Sequence, residues 1–143
     1  MTDLERDLGR RWFEEVRNKG RREAIAEMLA PDAVIHGGGI DTAEAEGFCP
    51  FYDRLRGAFS EIHVEVQDSI AQADKVCVRW SCTAKYTRNG LGVAATGAAV
   101  HVTSISILRV ANGKLVEGWQ NWDMLGLIEQ IRGARGPRRI SLR

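Results

Sequence analysis

The sequence predicts an α+β domain in which helices cover one face of a curved, mostly antiparallel sheet, with an internal pocket between the two layers. Three observations carry that reading. Apolar residues recur at helical spacing in the first part of the chain, change to a period of two from Ile62 onward, and return to helical spacing after Trp122. An Asn112-Gly113 pair separates two of the period-two runs, and both central positions of a type I′ hairpin turn need positive φ. Helices grouped ahead of antiparallel strands pack on one side of the sheet instead of alternating with it.

The elements follow in order. Leu4, Leu8, Trp12 and Val16 recur every four residues, with Phe13 beside them, which is one apolar stripe on a helix. Asn18 and Gly20 interrupt it. A short second helix turns Ile25, Met28 and Leu29 inward and stops at Pro31. Ala33 to His36 is a short extended run, ended by the Gly37-Gly38-Gly39 turn. Phe48, Phe51, Tyr52, Leu55 and Phe59 mark one face of a third helix. Ile62, Val64 and Val66 then alternate with His63, Glu65 and Gln67 as a half-buried strand. Ala73-Asp74 is a turn, and Val76, Val78 and Trp80 alternate with Cys77, Arg79 and Ser81 beyond it. Val100 to Val110 and Leu115 to Trp122 are the two arms of the Asn-Gly hairpin. Met124, Leu127, Ile128 and Ile131 share one face of a closing helix. The result is a four-strand meander with the short early strand added.

The chain has 143 residues, 44% apolar and 27% charged, enough for one domain and too apolar for disorder. The domain is placed at residues 1–131. Residues 132–143 carry five arginines and no acid, and read as a basic, flexible tail. Because the whole chain nets only +1, the body is mildly acidic, which argues against a nucleic-acid partner. Three cysteines (Cys49, Cys77 and Cys82) with no CxxC pair argue against a disulfide framework or a zinc site; Cys77 and Cys82 read as buried thiols. No segment has the length of a signal peptide or a membrane span, so the expectation is a cytoplasmic protein with no membrane partner. The glycine run lacks GxxxxGK[ST], and no GxSxG, HExxH or Rossmann fingerprint occurs, so no cofactor and no metal is expected.

The opening WFEEVRNKG with IAEMLAPDAVIHG, the block DKVCVRWSCTAKY, the turn LGVAATG and the closing SISILRVANGKLVEGWQNWDMLGL together resemble the SnoaL-like polyketide cyclases, a branch of the NTF2-like superfamily of cone-shaped α+β folds. The resemblance spans nearly all of residues 10–131. It implies a cofactor-independent catalyst, a homodimer or higher homo-oligomer, that closes a ring by intramolecular aldol condensation on a polyketide-like ester. It also implies that the aspartate at the end of the last strand, here Asp123, is the acid/base. Two positions depart from the family pattern: Tyr86 stands where a histidine is frequent, and Ala95-Thr96-Gly97 where a PTG turn is frequent.

Alternation on the last strand puts Glu117, Trp119, Asn121 and Asp123 on one face and Val116, Gly118, Gln120 and Trp122 on the other. On a straight strand Asn121 then lies about 6–7 Å from Asp123, Trp119 about 13 Å away, and Glu117 about 20 Å away, too far for a carboxylate dyad. Asp123 also suits a helix N-cap, whose carboxylate accepts from the first turn. His36 and His101 are candidate orienting groups or bases because histidine titrates near neutrality, with His36 equally a rim residue; His63 faces solvent. Arg79 either orients a carbonyl or pairs with Glu117. Trp119, Tyr52 and Phe51 are read as walls for a small hydrophobic or aromatic substrate. Trp122 and Val116 are assigned to an outer sheet face that pairs two copies.

Three functions follow: ring closure, with Asp123, His36 and Asn121 catalytic; a related hydrolysis, dehydration or isomerisation; or a binding module for a small hydrophobic ligand. Asp123 or a histidine inside the cavity favours catalysis. A cavity with neither favours binding.

Overall fold

The computed structural model describes residues 2–37 and 42–133. The first apolar stripe forms α1 (Thr2–Arg11), continued by a π-helical segment (Trp12–Asn18); α2 is Glu23–Met28. Leu8, Trp12, Phe13 and Val16 are buried as the spacing predicts, whereas Leu4 is exposed at the free end of α1. Each buried side chain of this size contributes about 1.5–3 kcal/mol. Leu29 leaves the helix earlier than expected and opens β1 (Leu29–Gly37), so Pro31 lies in a strand. A two-residue β2 (Thr42–Ala43) and α3 (Glu44–Ala58) follow, with Pro50 inside the helix.

The period-two half forms β3 (Phe59–Gln72), β4 (Lys75–Tyr86), β5 (Ala99–Ala111) and β6 (Lys114–Trp122), closed by α4 (Met124–Ile131). The sheet order is β2-β1-β6-β5-β4-β3, antiparallel throughout the meander, with β1 added to β6 in parallel. Asn112 and Gly113 both take positive φ, 52° and 74°, as the hairpin turn requires. Register shifts in β3 and at Arg109/Val110 are the places where an extra residue bends and twists the sheet.

One face of the sheet is covered by helices. Val76, Val78 and Trp80 on β4 meet α1 and the π-helical segment, with Phe13 tilted against Trp80 at a ring separation of 5.3 Å. A second apolar group gathers Ala58, Ala84, Tyr86, Val100, Leu127 and Ile131 under α4. The end of β1 is held tightly against β6. Gly37 has φ +123°, and a Cβ there would stand 1.9 Å from the Gln120 carbonyl oxygen, so only glycine fits. Gly38, Gly39 and the tail from residue 134 lie outside the described residues.

Tyr86, one of the two departures from the family pattern, has a structural task. Its hydroxyl donates to the Val93 carbonyl (2.6 Å) and accepts from the Gly90 and Leu91 amides (3.0 and 3.2 Å), folding the β4–β5 connection over itself. Thr96, in the other departure, donates to the Ile131 carbonyl and ties that connection to the end of α4.

Candidate functional site

The two apolar groups do not merge, and a cavity of about 100 Å³ opens at their seam on the helix-covered face. Its walls are apolar: Phe59, Ile62 and Val64 from β3, Ala84 from β4, Val100 and Val102 from β5, and Trp80 and Trp122 closing two sides. The small side chains of Ala84, Val100 and Val102 leave the space that larger ones would fill.

The polar groups enter from the helices and from β6. Arg17, on the π-helical segment, reaches the cavity and donates from Nη2 to Gln120 Oε1 at 3.1 Å. Burial pushes its pKa down to about 10, so it stays cationic at neutral pH. Arg56 of α3 also lines the cavity and donates to the Arg17 carbonyl at 2.8 Å, satisfying an orphan acceptor at the helix end. Tyr52 lines the wall as expected, and its hydroxyl donates to the Val16 carbonyl at 2.9 Å. Burial raises the pKa of Tyr52 and of Cys82, the cavity's thiol, so both are neutral at pH 7. Cys77 and Cys82 are half-buried, not fully buried as the apolar run suggests.

Strand parity is as the alternation predicts, but the faces are reversed. Gln120 and Trp122 point to the cavity, while Trp119 and Asn121 lie on the outer face, next to Ile105 and Ile107. Val116 packs against the covered core, so neither it nor Trp122 belongs to the outer face. Arg79 is on the outer face too, donating to Gln67 Oε1 at 2.8 Å, and Glu117 is not its partner. His101 is exposed between the inward Val100 and Val102; its main chain is gripped by Gln130, which accepts from its N–H and donates to its carbonyl. His63 is exposed, as expected. The side chain of Phe51 lies outside the described residues.

His36 joins a different cluster. Its Nε2 is 2.8 Å from Glu117 Oε2, its ring stacks on Trp119 at 5.6 Å, and Glu117 Oε1 accepts from Arg109 at 3.2 Å. Lys75 sits 5.7 Å over the Trp119 ring. The hydrogen bond from His36, then the Arg109 contact, hold the Glu117 carboxyl below the usual carboxylate range. This cluster is on the outer face, away from the cavity.

Asp123 caps α4. Its Oδ1 accepts from the Gly126 amide at 2.9 Å, and its side chain is exposed. It stands between two cavity-lining residues, Trp122 and Leu127, without lining the cavity itself. Asp123, Asn121 and His36 are therefore not brought together at one cavity. Sequence reasoning missed Arg17, Arg56 and Gln120. The signal available for Arg17 was its position four residues after Phe13, which puts it on the covered side of the helix. Among the described residues, no group of three His, Cys, Asp or Glu side chains could hold a metal ion, and no helix is long and apolar enough to cross a membrane.

A family model described as SnoaL-like polyketide cyclase matches residues 8–131. No curated protein matches the chain. Among solved structures, a candidate SnoaL-like polyketide cyclase from Jannaschia sp. CCS1 superposes with a TM-score of 0.84 at 22% identity, covering 91% of this chain and 92% of that one. IdmH, a candidate polyketide cyclase from Streptomyces antibioticus, gives 0.77 at 26% identity, covering 88% and 96%. AclR, described as a candidate hydroxylase from Streptomyces galilaeus, gives 0.82 at 23% identity, covering 93% and 83%.

Proposed function

Because the chain belongs to the SnoaL-like polyketide cyclase family, and so to the NTF2-like α+β folds, we propose that it closes a ring in a small polyketide-like ester held in the cavity between helices and sheet. The reaction is an intramolecular aldol addition. A base removes a proton from a carbon flanked by carbonyls, and the enolate carbon attacks a second carbonyl of the same molecule. A carbon–carbon bond forms, and the resulting alkoxide takes a proton back. Atoms balance without a cofactor, and the product is an isomer of the substrate.

One observation carries this reading: the cavity has mostly apolar walls, and on the covered face a guanidinium and an amide, Arg17 and Gln120, stand hydrogen-bonded side by side in it. Apolar walls hold a flexible chain in a folded conformer and exclude water, which converts ring closure into a positioned encounter. The two donors suit an oxygen on which negative charge develops, and donors act most strongly in a water-poor site. Asp123 is assigned the proton transfers on the family resemblance; its carboxylate caps α4 and does not line the cavity, so the assignment requires it to meet the ligand at the cavity edge beside Trp122. Asn121, Trp119, Arg79 and His36, on the outer face, and the exposed His101 are given no part in it.

The test is to incubate the chain with short aryl poly-β-keto esters and separate the products. An isomeric ring-closed product formed faster than in buffer is expected. Esters that bind and are recovered unchanged would favour the second reading, a ligand-binding module. That reading has its own observation: among the described lining residues there is neither a carboxylate nor a histidine.

Assembly is also proposed, as a homodimer through the outer face. Ile105 and Ile107 are 55% and 39% exposed there, beside Trp119, and both signs of charge surround them in the His36–Glu117–Arg109 and Lys75 groups. Such a patch suits a second copy of itself.

A further inference from the structure

Strand register builds the floor of the cavity. Ala84 pairs with Val100 and Cys82 with Val102, which gives two successive rows of small side chains on β4 and β5. The row on one side of them is bulky: Trp80 pairs with Ser104 and Ser104 with Trp122, so two indoles share a row with a serine between them. The row on the other side is bulky too, because Tyr86 pairs with Phe59 and their rings meet at 5.3 Å. Trp80 is fixed from behind: its Nε1 donates to Ser106 Oγ at 3.0 Å, and its ring leans on Phe13. Two rows on two adjacent strands span about 6–7 Å along the strands and about 5 Å across them. Leu55 of α3 and Leu127 of α4 line the space above that floor.

We infer that this cavity admits a single six-membered aromatic ring and rejects fused ones, with Ala84 and Val100 setting the limit. The inference rests on the cavity being the ligand site of the proposed function, and it specifies the aryl group of the ester. Two measures agree. The floor of small side chains has the footprint of one ring. Cavities of roughly 150 Å³ lined by apolar side chains take up benzene, so about 100 Å³ in a half-open cavity suits one ring whose substituent leaves by the mouth. A fused second ring has to displace the Trp80–Trp122 row or the Tyr86–Phe59 row. Both rows are packed, since Tyr86 is fully buried and Trp80 is 8% exposed. Forcing bulk against such a wall costs more than the added apolar contact contributes.

Calorimetric titration of the full chain with benzyl alcohol and β-naphthylmethanol tests this. Apolar area alone favours the naphthyl compound, because it has more surface to bury. A size limit reverses that order, and benzyl alcohol is expected to bind at least about tenfold more tightly. Ala84→Leu fills the floor and is expected to weaken benzyl alcohol binding at least about tenfold. Val100→Ala enlarges it and is expected to bring β-naphthylmethanol to the affinity of benzyl alcohol or beyond. Should Ala84→Leu not fold, the wild-type order and Val100→Ala still decide. Equal or tighter binding of β-naphthylmethanol by the wild type overturns the inference. So does no binding of benzyl alcohol up to its solubility, an order unchanged in Val100→Ala, or full benzyl alcohol affinity in a folded Ala84→Leu. Neither alcohol carries a carbonyl, so turnover is not read and the two readings fail separately. A chain with the expected order that closes no ring loses only the catalytic assignment. One that closes rings in naphthyl and phenyl keto esters alike loses only this inference.

Discussion

Asp123 has one observed duty, the cap of α4, and one proposed duty, proton transfer, and one pair of substitutions separates them. Its Oδ1 caps α4 through the Gly126 amide, and asparagine caps a helix about as well as aspartate. Asp123→Asn should therefore leave the thermal midpoint unchanged while lowering turnover by about 10²–10⁴, the usual worth of a general acid/base. Asp123→Ala should in addition lose about 1 kcal/mol of stability. Full activity in Asp123→Asn would make the residue a cap alone. Tyr86 is the reverse case, with no chemistry to lose. Removing its hydroxyl in Tyr86→Phe strips three hydrogen bonds from the β4–β5 connection. A loss of about 1–3 kcal/mol in urea unfolding is expected, and a neutral result would show that water replaces the hydroxyl.

The β1–β6 pair is the element on which both the cavity and the outer cluster depend, because Gln120 faces one way and Glu117 and Trp119 the other. Gly37→Ala places a Cβ on the Gln120 backbone and strains a φ of +123°. The expected cost is about 1–3 kcal/mol, together with weaker ligand binding as Gln120 shifts; unaltered denaturation would show that the strand end relaxes freely. On the outer side, Glu117 has its carboxyl pKa lowered in the folded state, first by the hydrogen bond from His36 and then by Arg109. A depressed folded pKa means stabilisation that is present above the ordinary carboxylate range and lost as pH falls through the folded value. The thermal midpoint of the wild type should thus fall more steeply than that of Glu117→Gln as pH drops from 5 toward the folded value, the two curves converging at the acid end. Parallel curves would remove Glu117 from the acid limb. Helix and strand types were legible here because each element keeps its own apolar period over many residues. The boundaries at Leu29 and Glu44 were not, since they depend on where β1 finds β6 and β2.

For the whole molecule, the proposed homodimer is tested at the outer face. Light scattering should give twice the chain mass for the wild type and the chain mass for Ile107→Asp, whose side chain is outside the core. A wild-type monomer at high micromolar concentration would refute the dimer. The sequence by itself determined the α+β class, the meander, the Asn112-Gly113 hairpin and which side chains of β6 share a face, because these follow from local periodicity and turn geometry. Tertiary structure alone decided which face the helices cover. Both faces of β6 carry a tryptophan and a side-chain amide, Trp119 with Asn121 and Trp122 with Gln120, so the pattern is symmetric where the decision lies. It was broken by distant segments: the π-helical turn that delivers Arg17 onto Gln120, 103 residues apart in sequence, and the parallel docking of β1. Contacts at that separation leave no periodic trace in the chain, which is why the cavity's cation was found only once the helices were folded over the sheet.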